Sequence, residues 1–197
     1  MPPFDEQHQR FTFDDQKWTV VKYDEHRDYR QKIANLHETK AVDFVGLHNG
    51  PDGALCWIEV KDFRGYRIQN KRRLSDGELA AEVGQKVRDS VAGIVGAYRT
   101  SGQWETWRPF VRAIWRRENA IRVLLWLEED NLPGPPGRRR NAAQVQTQLL
   151  RERLAWLTTR VFVVSRTLGG CPEGLVVTDL PGVGQSLDID ERDVPKT

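Results

Sequence analysis

Cysteine is scarce in this chain: of 197 residues only Cys56 and Cys171 are cysteines, far apart and outside any Cys-x-x-Cys or Cys/His spacing. That pattern excludes a disulfide framework and a zinc-finger-like motif, and it sets the expectation of a reduced, cytoplasmic protein. Also missing is an apolar run long enough to cross a bilayer, and Met1-Pro2-Pro3-Phe4-Asp5-Glu6 has neither the basic start nor the apolar core of a secretory signal. A soluble protein with no membrane role is expected. Excess charge of one sign is absent too. Thirty basic against 28 acidic side chains leave +2, so any affinity for nucleic acid must come from clustering and not from the total. His26, His37 and His48 lack metal-ligand spacing, and no internal repeat is apparent. What is present is a 39% apolar fraction with seven tryptophans, enough for one substantial core. The tryptophans read as core and interface residues.

Residues 1 to 17 are polar with isolated Phe4, Phe11 and Phe13, and read as a loosely ordered arm without chemistry. A single domain is expected over 18 to 180, with a core at 18 to 130, a helix and strands at 141 to 180, and a mobile tail from 181 to 197. Within it, 18 to 23 reads as a strand and 24 to 36 as a helix facing inward through Tyr29, Ile33 and Leu36. Residues 41 to 48 and 54 to 61 read as a hairpin around Asn49-Gly50-Pro51-Asp52-Gly53. Leu79, Val83, Val87, Val91, Ile94 and Tyr98 predict a helix from Asp76, which can cap it. Further expectations are a helix over 104 to 117 entered through Pro109, a buried strand at 121 to 127 and an exposed loop at 131 to 140. A helix capped by Asn141 then turns Val145, Leu149 and Trp156 inward, and strands follow at 161 to 164 and 175 to 177. This order is that of an α/β protein with a mixed sheet flanked by helices and covered on both faces, with a C-terminal elaboration.

Two of these apolar strands carry charges that an interior rejects unless they are paired or bound to a metal: Asp43 in Ala41-Val42-Asp43-Phe44-Val45, and Glu59 and Lys61 in Leu55-Cys56-Trp57-Ile58-Glu59-Val60-Lys61. The chain holds three acid-x-Lys tripeptides, at 15 to 17, 38 to 40 and 59 to 61. Only the third ends an apolar strand with another acid on the strand before it. Residues two apart on a strand share a face, so Glu59 and Lys61 point into one cleft. With Asp43 on the neighbouring strand, two carboxylates can surround a hard cation such as Mg²⁺ or Mn²⁺ beside an ammonium group, which is what phosphodiester hydrolysis requires.

The layout resembles the PD-(D/E)xK nuclease superfamily, the restriction-endonuclease-like fold, over about residues 18 to 100, with Asp43 as first acid and Glu59-Val60-Lys61 as the second half. The resemblance implies metal ligation by Asp43, Glu59 and the Val60 carbonyl, a catalytic Lys61, and cleavage of nucleic acid, DNA being favoured. A prokaryotic defence or DNA-processing role, and a homodimer or partner subunit, are further expectations by analogy. Val42 stands where that family commonly has proline. Both Glu25 and Glu38 remain open as the upstream acid, and for the helix after the lysine Glu82 or Lys86 is favoured over Gln85 as lining the cleft. The cations Arg64, Arg67, Lys71, Arg72 and Arg73, interrupted by Phe63 and Tyr66, can follow a phosphate backbone, with Lys86 as a further contact and Arg138 to Arg140 as a second one. The rival readings are a catalytically inactive nucleic-acid-binding or assembly subunit with the same fold, and an interaction protein that buries its tryptophans against a partner.

Overall fold

The computed structural model describes residues 2–50, 53–66, 70, 73–117, 120–130 and 137–181. Its centre is a five-stranded mixed sheet in the order β3 (Trp18–Lys22), β4 (Phe44–His48), β5 (Ala54–Asp62), β6 (Ile121–Glu128), β7 (Val161–Val164). The first three strands form an antiparallel meander, while β5, β6 and β7 run parallel. Parallel neighbours need long crossovers, and these are helical: α1 (Glu78–Thr100) and α2 (Trp104–Trp115) lead from β5 to β6, and α3 (Gly137–Leu154) leads from β6 to β7.

Strand β5 is buried on both faces, as its continuous apolar run requires. Its odd-numbered residues Leu55 and Trp57 join Val83, Val87, Trp107 and Phe110 in a core under the helices. The even-numbered Cys56, Ile58 and Val60 join Phe11, Phe13, Phe44 and Trp126 in a second core on the other side. That second core corrects the reading of the first seventeen residues. The arm is not loose: β1 (Phe4–Glu6) and β2 (Gln9–Phe13) form a hairpin that pairs with β8 (Leu175–Asp179) in a three-stranded antiparallel sheet. Helices therefore cover one face of the mixed sheet and this small sheet covers the other. The cause is the period-2 alternation of Gln9, Phe11 and Phe13, all buried, with exposed Arg10 and Thr12 between them.

Other departures have local causes. The expected helix over 24 to 36 shrinks around a π-helical turn, Tyr29–Ile33, where Ala34 N–H donates to the Tyr29 carbonyl at 2.8 Å. Leu36 is exposed. Asp28 is drawn inward because its Oδ2 accepts the Trp107 indole N–H at 2.8 Å. Helix α1 begins after Gly77, whose φ of 75° is left-handed and suits glycine, while Asp76 accepts the Ser75 hydroxyl instead of capping. Pro109 lies inside α2 and does not open it. Helix α3 starts at Gly137, ahead of Asn141, and its buried stripe is Gln146, Leu150 and Leu154, leaving Val145 and Trp156 exposed. A buried glutamine hid that stripe from a hydrophobic reading; its Nε2 donates to the Leu74 carbonyl.

Candidate active site

The site forms just before the start of β4, where β5 runs on past it. The last ladder pair between them is Phe44 with Ile58, so the edge of β5 at Val60 and Asp62 faces no strand. Exposed ladder groups need partners, and side chains supply them. Asp43 Oδ2 accepts the Val60 N–H at 2.6 Å. Gln7, at the turn of the β1–β2 hairpin, completes the edge: its Nε2 donates to the Val60 carbonyl at 3.0 Å and its Oε1 accepts the Asp62 N–H at 2.7 Å. Gln7 has a left-handed φ of 53°, which is how the turn delivers that side chain.

Glu59 and Lys61 continue the helix-facing series of β5 and so meet α1. Glu59 is fully buried, and its Oε1 accepts from Lys86 Nζ at 2.6 Å and lies 3.0 Å from Lys61 Nζ. Lys61 reaches Glu82 Oε1 at 2.9 Å, and Arg73 holds the other Glu82 oxygen. Lys86 is also 3.7 Å from Asp43 Oδ1, so one ammonium group lies between the two acids that sequence reasoning assigned to a cation. Burial works against the Lys86 charge, but Glu59, Asp43 and Glu82 outweigh it and hold the group protonated. Burial pushes Glu59 up against the pull of Lys86 and Lys61.

On the other side of Asp43 stand two acids the sequence did not single out. Carboxylate oxygens of Glu6, Asp24 and Asp43 all lie within 4.8 Å of one another. Asp24 lies two residues past the end of β3, and Glu6 comes from the arm. Burial, then the neighbouring Asp43 and Glu6, lifts Asp24 from an ordinary 3.8 to about 7. Burial, then Glu59, lifts Asp43 to about 7 despite Lys86. Lys22 pairs with Glu6 at 2.8 Å and with Glu25 at 3.0 Å.

Asp43, Glu59, Lys61, Glu82 and Lys86 are thus brought together. Of the two upstream glutamates, Glu25 pairs with Lys22, and Glu38 offers its carbonyl to Gln85 Nε2 at 2.6 Å. From the same stretch it is Asp24 whose carboxylate lies within 4.8 Å of Asp43. The described cations of the basic stretch are spent within the fold: Arg64 pairs with Asp62 and Asp179, and Arg73 with Glu82. Lys86 faces the acids. Arg67, Lys71 and Arg72 lie outside the described residues, as do the side chains of Arg138 and Arg139. Arg140 is exposed on α3.

A divalent cation fits this donor set. Asp24 Oδ1 and Glu59 Oε2 are buried oxygens without a hydrogen-bond partner, one on each side of Asp43, and an all-oxygen cluster suits a hard ion. The compact acid set is Glu6, Asp24 and Asp43; between Asp43 and Glu59 stands Lys86, and the Val60 carbonyl is engaged by Gln7. Comparison with family models, with curated proteins and with solved structures returned no match. No helix among the described residues is long and apolar enough to cross a membrane.

The raised carboxyls make a pH prediction. From about 4 up to about 7 the folded chain holds protons on Asp24 and Asp43 that the unfolded chain has released, so these two groups make stability fall as pH rises through that window and leave it low above. Asp24→Asn is expected to melt higher than wild type at pH 8 in chelator and equally at pH 4. Mg²⁺ should raise the wild-type melting temperature at pH 8 more than that of the variant. Parallel pH profiles in chelator would contradict this.

Proposed function

We propose that the chain is a metal-dependent nuclease that hydrolyses phosphodiester bonds, with DNA as the favoured substrate. The observation that carries this is the convergence of five acids and two ammonium groups, from β1, the segment after β3, the residue before β4, the end of β5 and α1, at one end of the mixed sheet. Burial and the neighbouring carboxylates lift two of those carboxyls to about 7, the kind of perturbation that gathers at functional sites. The antiparallel meander β3–β4–β5, followed by a helical crossover to the parallel β6, supports the restriction-endonuclease-like reading.

Glu6, Asp24 and Asp43 would hold the cation, which, when bound, screens phosphate charge and acidifies a water. Asp43 is fixed by the Val60 N–H, so its position is set before any ligand arrives. Glu59 pairs with both Lys61 and Lys86 and so gathers their ammonium groups at one place. Lys61, shared between Glu59 and Glu82, offers its positive charge to the phosphate oxygens as negative charge builds on them. The low exposure of Glu59 and Lys86 strengthens each of these interactions.

The test incubates purified protein with supercoiled plasmid, single-stranded DNA and RNA, each with Mg²⁺, Mn²⁺ or chelator. Cleavage that needs the cation is the expected result. A gel shift without cleavage of any substrate would transfer the chain to the inactive nucleic-acid-binding reading.

A further inference from the structure

At the opposite end of the β4–β5 hairpin from the acids lies a cavity of about 470 Å³, within the size range of ligand clefts. Leu47 and His48 at the end of β4 and Gly53 just before β5 form one wall, and α2 forms the other with Arg108, Arg112 and Arg116. These arginines are spaced four apart and stand on one ridge of the helix. Among the described residues no carboxylate lies within ion-pair distance of their guanidinium groups, although Glu105 shares the cavity lining. This differs from the stretch at 64 to 73, whose described arginines are neutralised inside the fold.

Aromatic surface accompanies the charge. Trp104 is 40% exposed and Trp115 is 71% exposed, both on α2. At 3.6 residues per turn, Trp104, Arg108, Arg112, Trp115 and Arg116 share about a third of the helix circumference. The inward side of the same helix is occupied by Trp107, Phe110, Val111 and Ala113. Arg108 already lies over the Trp104 ring, 5.7 Å from its centroid. Two exposed indoles beside three guanidinium groups that make no ion pair among the described residues give this face both aromatic and cationic character. Phosphates answer the arginines, and flat bases answer the indoles, but only unpaired bases present a free face for stacking.

We propose that the exposed face of α2, built from Trp104, Arg108, Arg112, Trp115 and Arg116 beside this cavity, is a docking surface for single-stranded nucleic acid. It lies about 15 Å from Glu59 along the strands, at about 3.3 Å per residue, so it is separate from the acid cluster. The surface positions a strand and takes no part in bond breaking. The inference rests on charge and aromatic placement and stands whether or not the acid cluster hydrolyses anything.

The experiment measures fluorescence anisotropy of labelled dT and rU oligonucleotides of equal length, and of a DNA duplex, with the whole chain in chelator, across a salt series. Binding of a single strand more tightly than of the duplex is expected, and the dT and rU arms decide which sugar is preferred. Arg112→Glu/Arg116→Glu should weaken single-strand binding by at least about tenfold and reduce the salt slope by about 1.4, two contacts at about 0.7 each. Trp115→Ala, a surface change that leaves the charge intact, should weaken it roughly tenfold with little change in slope. Chelator keeps hydrolysis out of every binding measurement, which separates this surface from the hydrolytic reading. Absence of wild-type binding, or unchanged affinity and slope in both α2 variants, overturns the proposal. So does a duplex bound as tightly as the single strand.

Discussion

Asp43→Asn is expected to lower cation-dependent cleavage by about 100- to 1000-fold while leaving the fold intact. The asparagine side chain has nearly the same shape and keeps a carbonyl oxygen able to accept the Val60 N–H that Asp43 Oδ2 accepts at 2.6 Å. The edge of β5 therefore stays closed, and what disappears is a negative charge lying within 4.8 Å of Glu6 and Asp24. Because Asp43 is raised to about 7 mainly by burial and by Glu59, removing its charge should also relieve the native state at pH 8. Loss of activity together with a higher melting temperature in chelator is the signature of a group kept for chemistry at a cost in stability. The measurement pairs initial rates across a Mn²⁺ titration with thermal melts. A D43N variant that cuts within about threefold of wild type at every Mn²⁺ concentration would remove the basis for the hydrolase.

The second large effect concerns Lys86. Lys86→Met keeps a long side chain against the core but takes away the ammonium that bonds Glu59 at 2.6 Å and faces Asp43 at 3.7 Å. Removing one partner from a buried charge pair leaves the other without compensation, which costs about 3–5 kcal/mol. Glu59 keeps Lys61 at 3.0 Å, so the lower part of that range applies. The direction with pH follows from the carboxyls. At acidic pH Glu59 and Asp43 accept protons and no longer need a counter-charge, so the deficit should shrink; at pH 8 both are driven towards ionisation and it should be largest. A divalent cation can replace part of the missing charge, so Mn²⁺ should narrow the gap at pH 8. Denaturant unfolding at pH 5 and pH 8, with and without Mn²⁺, checks all three. A deficit of the same size under every condition would mean that Lys86 contributes packing alone.

Much of the mixed sheet was legible because its strands are nearly pure apolar runs between turn residues. Leu55 to Val60 cannot be anything but interior, and the charges at Glu59 and Lys61 stand out against that background. Period 2 then puts both on the helix side, and the long amphipathic α1 brings Glu82 and Lys86 to them. The other half of the acid cluster was hidden for a different reason. Glu6 belongs to a three-residue strand, and its place beside Asp43 depends on pairing of β2 with β8, more than 160 residues away in sequence. Asp24 carried no local mark, since an acid just after a strand is ordinarily solvated. The alternation in Gln9-Arg10-Phe11-Thr12-Phe13 was the signal that could have turned the arm into a strand. On α3 the misplaced inward face has a similar origin, because Gln146 is buried through a hydrogen bond that no hydropathy pattern records.

The closure of β5 by Gln7 sets a limit on how far the protein can be trimmed. Trp18 looks like a natural starting point, being the first residue of the mixed sheet. A version cut there would discard Glu6, the amide that caps Val60 and Asp62, and the two phenylalanines Phe11 and Phe13 that roof the second core. The acid-bearing half and its roof are therefore a single inheritable unit, and the first seventeen residues belong to the minimal body.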